Sequence, residues 1–127
     1  MDEYTYEMDE LCFEEVGFVS LWVGQSLVED GSDFLRDQYR VDFADADFQE
    51  CTIREQALPL AELLVAISWS ESFREAALAG AQQAGLTAGR WLMAQFDFKY
   101  DPAVAELREM PRDPVFIGAF EFSKKPA

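Results

Sequence analysis

Runs of apolar and polar positions divide the chain into short elements. Phe18-Val19-Ser20-Leu21-Trp22-Val23 is rich in β-branched and aromatic side chains and is closed by Gly24, the pattern of a strand with one or both faces covered. Asp30-Gly31 marks a turn. Ser32 is placed to cap a short helix from Asp33 to Tyr39, with Asp33 in the first turn, where negative charge is favoured. In Phe48–Arg54, Phe48, Glu50, Thr52 and Arg54 alternate with Gln49, Cys51 and Ile53, which predicts a second strand. Pro59 suits the first position of a helix on which Leu60, Leu63, Leu64 and Ile67 share one face. Two overlapping S-x-x-E signals follow, Ser68 to Glu71 and Ser72 to Glu75, and either would be a capping box. The helix it starts runs through an alanine-rich stretch to Ala84, with Gly85 as a left-handed stop. Trp91–Tyr100 reads as a third strand, with Leu92, Ala94, Phe96 and Phe98 on one face and Gln95, Asp97 and Lys99 on the other. Asp101-Pro102 ends it. A polar stretch with Pro111 and Pro114 leads to a fourth strand, Val115–Phe122.

This order predicts an α+β fold, a mainly antiparallel four-stranded sheet with helices packed on one face. The strand order does not follow from the pattern. No repeat or linker interrupts the chain, so residues 1–127 are expected to form one domain, with residues 1–15 as an acidic N-terminal extension whose first few residues fray. Half the residues are hydrophobic and 14% aromatic, which fits a folded globule and argues against disorder. No apolar run approaches the ~20 residues needed to cross a bilayer. The acidic start lacks the pattern of a secretory signal, so a cytosolic protein is expected. In that compartment Cys12 and Cys51 are expected to be free, mostly buried thiols.

Charge changes the picture. The chain carries 25 acidic and 10 basic residues, a net −15, and the excess is uneven. Residues 1–50 hold 15 carboxylates against Arg36 and Arg40 alone, a net −13, whereas residues 51–127 carry −2. An acidic surface can serve solubility alone. Confining like charges to one region adds self-repulsion without adding solubility, so a functional acidic surface stands level with that reading. That field repels phosphates and anionic lipid, so neither nucleic acid nor membrane is an expected partner.

The missing chemistry narrows the function further. There is no histidine, hence no imidazole general base, no Ser-His or Cys-His nucleophile pair and none of the usual zinc sites. No phosphate-cradling glycine motif occurs. Among so many carboxylates some pair will lie close by chance, so proximity is no sign of acid–base catalysis. Asp42, Asp45, Asp47 and Glu50 lack the alternation, central Gly and final Glu of a calcium loop. No catalytic residue, metal set or cofactor is expected. Trp22, Trp91, Phe96, Phe98, Phe116 and Phe120 lie on strand patterns and are expected in the core. Trp69, between two serines at a helix junction, is either core or a partly exposed aromatic.

Five segments in order resemble the immunity protein 22 family, bacterial antidotes of polymorphic toxin systems. They are Gly17–Gly24 as the opening strand; Asp33-Phe34, Asp37, Asp42-Phe43, Asp45, Asp47-Phe48 and Glu50 as the acidic middle; Leu60–Phe73, ending in Ser70-Glu71-Ser72-Phe73; Gln95–Tyr100; and Phe116–Phe122. The segment after Gly24 is shorter than the family's Glu-rich helix, and residues 1–15 have no counterpart. The resemblance implies an antitoxin that binds and neutralises a cognate toxin. Its charge suits a nuclease, whose basic cleft must hold phosphates, and opposed fields speed encounter. The expected contact segment is Asp33 to Glu50, with Asp37, Asp42, Asp45, Asp47 and Glu50 leading, Phe43 and Phe48 anchoring the segment, and Trp69 as a further candidate. The alternatives are an acidic phosphate mimic that blocks nucleic-acid-binding proteins and a small carboxylate-dependent enzyme.

Overall fold

A computed structural model describes residues 13–26 and 33–124. Four strands, β1 (Glu14–Gly24), β2 (Gln49–Pro59), β3 (Ala88–Phe98) and β4 (Val115–Glu121), pair antiparallel in one sheet of order β2-β3-β1-β4. The helices are α1 (Phe34–Asp37), α2 (Leu60–Val65) and α3 (Arg74–Gln83), with 3₁₀ turns at Ala46–Phe48 and Ser70–Ser72. The architecture is therefore the α+β, antiparallel four-stranded one that the pattern predicts.

The order explains why two strands read as continuous apolar runs. β1 and β3 are central, and Val19–Gly24 and Trp91–Phe96 are buried throughout because both sheet faces are covered. On one face, Leu60, Leu63 and Leu64 of α2 and Ala77 and Ala81 of α3, with Ile67 and Phe73, pack on Val19, Leu21, Val23, Leu92, Ala94, Phe96 and Ile117. On the other, Trp22, Trp91, Met93 and Phe98 meet Phe13, Leu35, Tyr39, Val41, Tyr100 and Ala105. Leu35 belongs to α1, so this short helix lies opposite α2 and α3.

Irregular segments cover that second, aromatic core, and irregular backbone needs hydrogen-bond partners when buried. The buried tyrosines and a serine supply them. The Tyr39 hydroxyl donates to the Pro114 carbonyl (2.6 Å) and accepts from the Phe116 N–H (3.1 Å). The Tyr100 hydroxyl donates to the Tyr39 carbonyl (2.7 Å). Ser20 Oγ donates to the Phe98 carbonyl (2.8 Å) and accepts from the Tyr100 N–H (2.9 Å).

Several local expectations are corrected. Asp33 is the N-cap of α1, its carboxylate accepting the Arg36 N–H at 3.2 Å, and the helix ends at Asp37 rather than Tyr39. Ser32, the Asp30-Gly31 turn, Cys12 and residues 1–12 lie outside the described residues. β2 extends to Pro59 because five steps along it, Ile53 to Leu58, oppose only two on β3, Trp91 to Gly89. Arg54–Ala57 thus bulge outward and hide the continuation from any alternation rule. Cys51 is exposed, not buried, because β2 is an edge strand with little packed against it. Neither S-x-x-E signal is a capping box: α3 is preceded by Phe73, with no side-chain cap. Gly85 behaves as expected, at φ +81, with Gly85 N–H bonded to the Gln82 carbonyl and Leu86 N–H to the Ala81 carbonyl in a Schellman arrangement. Phe98 does not share a face with Phe96. Asp97 adopts a left-handed backbone (φ 55), breaks the alternation and turns Phe98 into the aromatic core.

Candidate functional site

The acidic middle segment is fixed by a buried glutamine. Gln95 lies in β3 with its side chain almost wholly enclosed. Its Nε2 donates to the Asp45 carbonyl (2.8 Å) and its Oε1 accepts from Gln49 Nε2 (2.8 Å). Asp45 in turn caps the 3₁₀ turn, its Oδ1 accepting the Asp47 N–H at 2.9 Å. The turn presents Asp47 and Phe48 beside the start of β2. Leu35, Tyr39 and Val41 hold the segment to the core, whereas Phe43 and Phe48, the expected anchors, are 50% and 46% exposed.

Asp47, Phe48 and Glu50 form one wall of a groove of about 240 Å³, completed by Trp69, Phe96, Asp97 and Lys124. Trp69 is 40% exposed. Its ring stacks on Phe122 (centroids 5.9 Å apart, planes at 28°) and meets Phe96 edge-on (5.2 Å, 89°). The Lys124 ammonium lies 5.0 Å from the Trp69 ring centroid. Hydrogen bonds secure both banks. Glu50 Oε1 accepts the Ser68 N–H (2.9 Å), tying the Trp69 turn to β2, and Asp97 Oδ1 accepts the Gly17 N–H (3.0 Å). Ser72 Oγ donates to the Trp69 carbonyl (2.8 Å) and accepts the Ser123 N–H (2.9 Å), which holds the chain leading to Lys124.

The backbone at this groove is unusual. Trp69 sits at φ 58, ψ 20, and Asp97 at φ 55. A left-handed conformation is costly for a residue with a bulky side chain and persists only where the surroundings impose it, which is common at ligand-binding sites. Here Trp69 and Asp97, a residue that tolerates this conformation better, line one groove, and packing on Phe96 and Phe122 holds the Trp69 indole where solvent reaches part of it.

The fold brings Asp47, Glu50 and Trp69 together. Asp45 supports them from the cap of the turn. Asp42 is exposed in the connection before it. Asp37 is exposed on α1, whose packing is with the aromatic core on the other face of the sheet. Sequence reasoning missed Phe96, Asp97, Phe122 and Lys124. The one signal available was a polar pair, Gln95 and Asp97, inside an otherwise apolar strand. Among the described residues no group of three or more His, Cys, Asp or Glu side chains is arranged to hold a metal ion, and no helix is long and apolar enough to cross a membrane. No protein-family model, curated protein or solved structure matches the chain. The likeness to the immunity protein 22 family therefore rests on the five segments alone.

Proposed function

We propose that the protein is a cytoplasmic immunity protein, an antitoxin that binds and neutralises a basic, nuclease-type polymorphic toxin. The observation that carries this reading is the groove in which Asp47, Glu50 and Asp97 flank the exposed rings of Phe48 and Trp69. Protein interfaces concentrate energy in a few aromatics and desolvated charges, while rim charges mainly set the association rate. The net −13 of residues 1–50 supplies the steering field. A general phosphate mimic needs the charge but not the aromatic groove, so a dedicated protein partner is the better fit. The test pairs the protein with the toxin encoded beside it, measuring binding kinetics at two salt concentrations and rescue of growth. Asp47→Lys is expected to slow association several-fold at low salt and to impair rescue, with the fold intact. Asp45 is left in place because it caps the turn. Unchanged affinity and rescue would make the segment a solvated face.

A further inference from the structure

In the groove at Trp69 a cation already sits over the indole, and it belongs to the chain itself. The Lys124 ammonium lies 5.0 Å from the ring centroid, and the other lining residues are two further aromatics, Phe48 and Phe96, and three carboxylates, Asp47, Glu50 and Asp97. Aromatic faces attract cations through the ring quadrupole, and nearby carboxylates add direct charge attraction. The alkyl stem of a lysine or arginine suits the ring surfaces while its charged head meets the carboxylates. A groove of about 240 Å³ has room for one such side chain and little more. Lys124 approaches from an exposed position just after β4, held on the preceding residue by the Ser123 N–H to Ser72 Oγ bond.

We infer that this groove is a seat for one cationic side chain, an arginine or lysine, of the protein partner, and that Lys124, which borders the groove over the Trp69 ring, competes for that ring in the free protein. The inference rests on the reading of a basic protein partner given above. Lys124 is tethered by a short exposed connection, so a partner side chain displaces it without unfolding any element. Arginine is the stronger competitor, because its planar guanidinium stacks on an indole and forks onto a carboxylate at once.

The seat is tested with the full chain and a small probe, acetyl-Gly-Arg-Gly-amide, with the neutral citrulline peptide as its control. Binding is read from the Trp69 indole N–H resonance, assigned through Trp69→Phe. The arginine peptide is expected to move that resonance saturably and the citrulline peptide to leave it in place. Lys124→Ala is expected to tighten peptide binding about 2–5-fold, the worth of one exposed cation–π contact. Glu50→Gln, which keeps an acceptor for the Ser68 N–H, and Asp47→Asn are each expected to weaken it. A Trp69 resonance that stays still in the Lys124→Ala protein, or that responds equally to citrulline, overturns the seat. Equal affinity with and without Lys124 overturns the competitor. If the peptide fails at Trp69 while the toxin is still bound and growth rescued, the seat falls and the antitoxin reading stands. If the peptide binds as expected while the neighbouring toxin is not bound, the antitoxin reading falls and the seat stands.

Discussion

Tyr39 has no exposed surface, and its hydroxyl is both donor to Pro114 and acceptor from Phe116. Burial pushes its pKa up to about 12, opposed by the Phe116 N–H and aided by the negative charge of Asp113. In the unfolded chain a tyrosine ionises near 10. The folded state thus holds the proton more tightly, and the stability this contributes is complete below pH 10 and is lost as pH rises through about 12. Tyr100 is raised in the same direction, first by burial and then by Tyr39, so both push the same way. Urea unfolding measured from about pH 8 to 11.5 is expected to show stability falling above pH 10. Tyr39→Phe is expected to start about 1–3 kcal/mol less stable, because two buried backbone groups lose their partner, and to fall less steeply. Parallel curves would mean that Tyr39 ionises in the folded protein as it does in water.

At the scale of elements, the packing of α3 on β4 turns on Gly80. A Cβ there would lie 2.5 Å from the Ile117 carbonyl oxygen and 2.9 Å from Phe120 Cζ. Helix propensity alone favours Ala over Gly by about 1 kcal/mol. The clash is with backbone, which cannot rotate aside, and forcing extra volume into a packed contact costs about 1–3 kcal/mol. Packing should win. Gly80→Ala is expected to lower the melting temperature despite its better propensity, whereas the opposite result would show that α3 lifts off the sheet at little cost. The same helix shows how a local signal is overruled. Ser68 and Ser72 each open a capping box written in the sequence, yet Phe73 is driven into the core and Ser70–Ser72 form a 3₁₀ turn that presents Trp69.

For the whole molecule, the largest electrostatic fact is the net −13 of residues 1–50 against −2 for the rest. Like charges this dense along one stretch of chain repel, and salt relieves the repulsion: the Debye length falls from about 30 Å at 10 mM to about 8 Å at 150 mM. The melting temperature is expected to rise over that range. A flat or falling value would show that the carboxylates are spread far enough apart to ignore one another. For the proposed basic partner the same dependence is expected with opposite sign, since salt that steadies the free protein would slow its association.

Signals that act within a few residues were legible without coordinates. Gly85 stops α3 because a left-handed residue is needed there, Leu60, Leu63 and Leu64 share a face by helical period alone, and the apolar runs of β1, β3 and β4 mark strands. Local patterns do not say which strand lies beside which. The order β2-β3-β1-β4 buries β1 and β3 on both faces and leaves Cys51 and Ile53 exposed on an edge, though the pattern of β1 left one or both faces open as choices and Cys51 read as buried. Nor did alternation survive Asp97, where one left-handed residue sent Phe98 to the opposite core. The groove lay furthest from view. Asp47, Glu50, Trp69, Asp97 and Lys124 come from separate parts of the chain, and only strand pairing and helix packing bring them within reach of one another. Periodicity and turn chemistry are encoded by neighbours, so the sequence alone determined the elements. The site depends on contacts whose closing entropy is repaid only when the whole sheet forms, so the tertiary structure alone decided it.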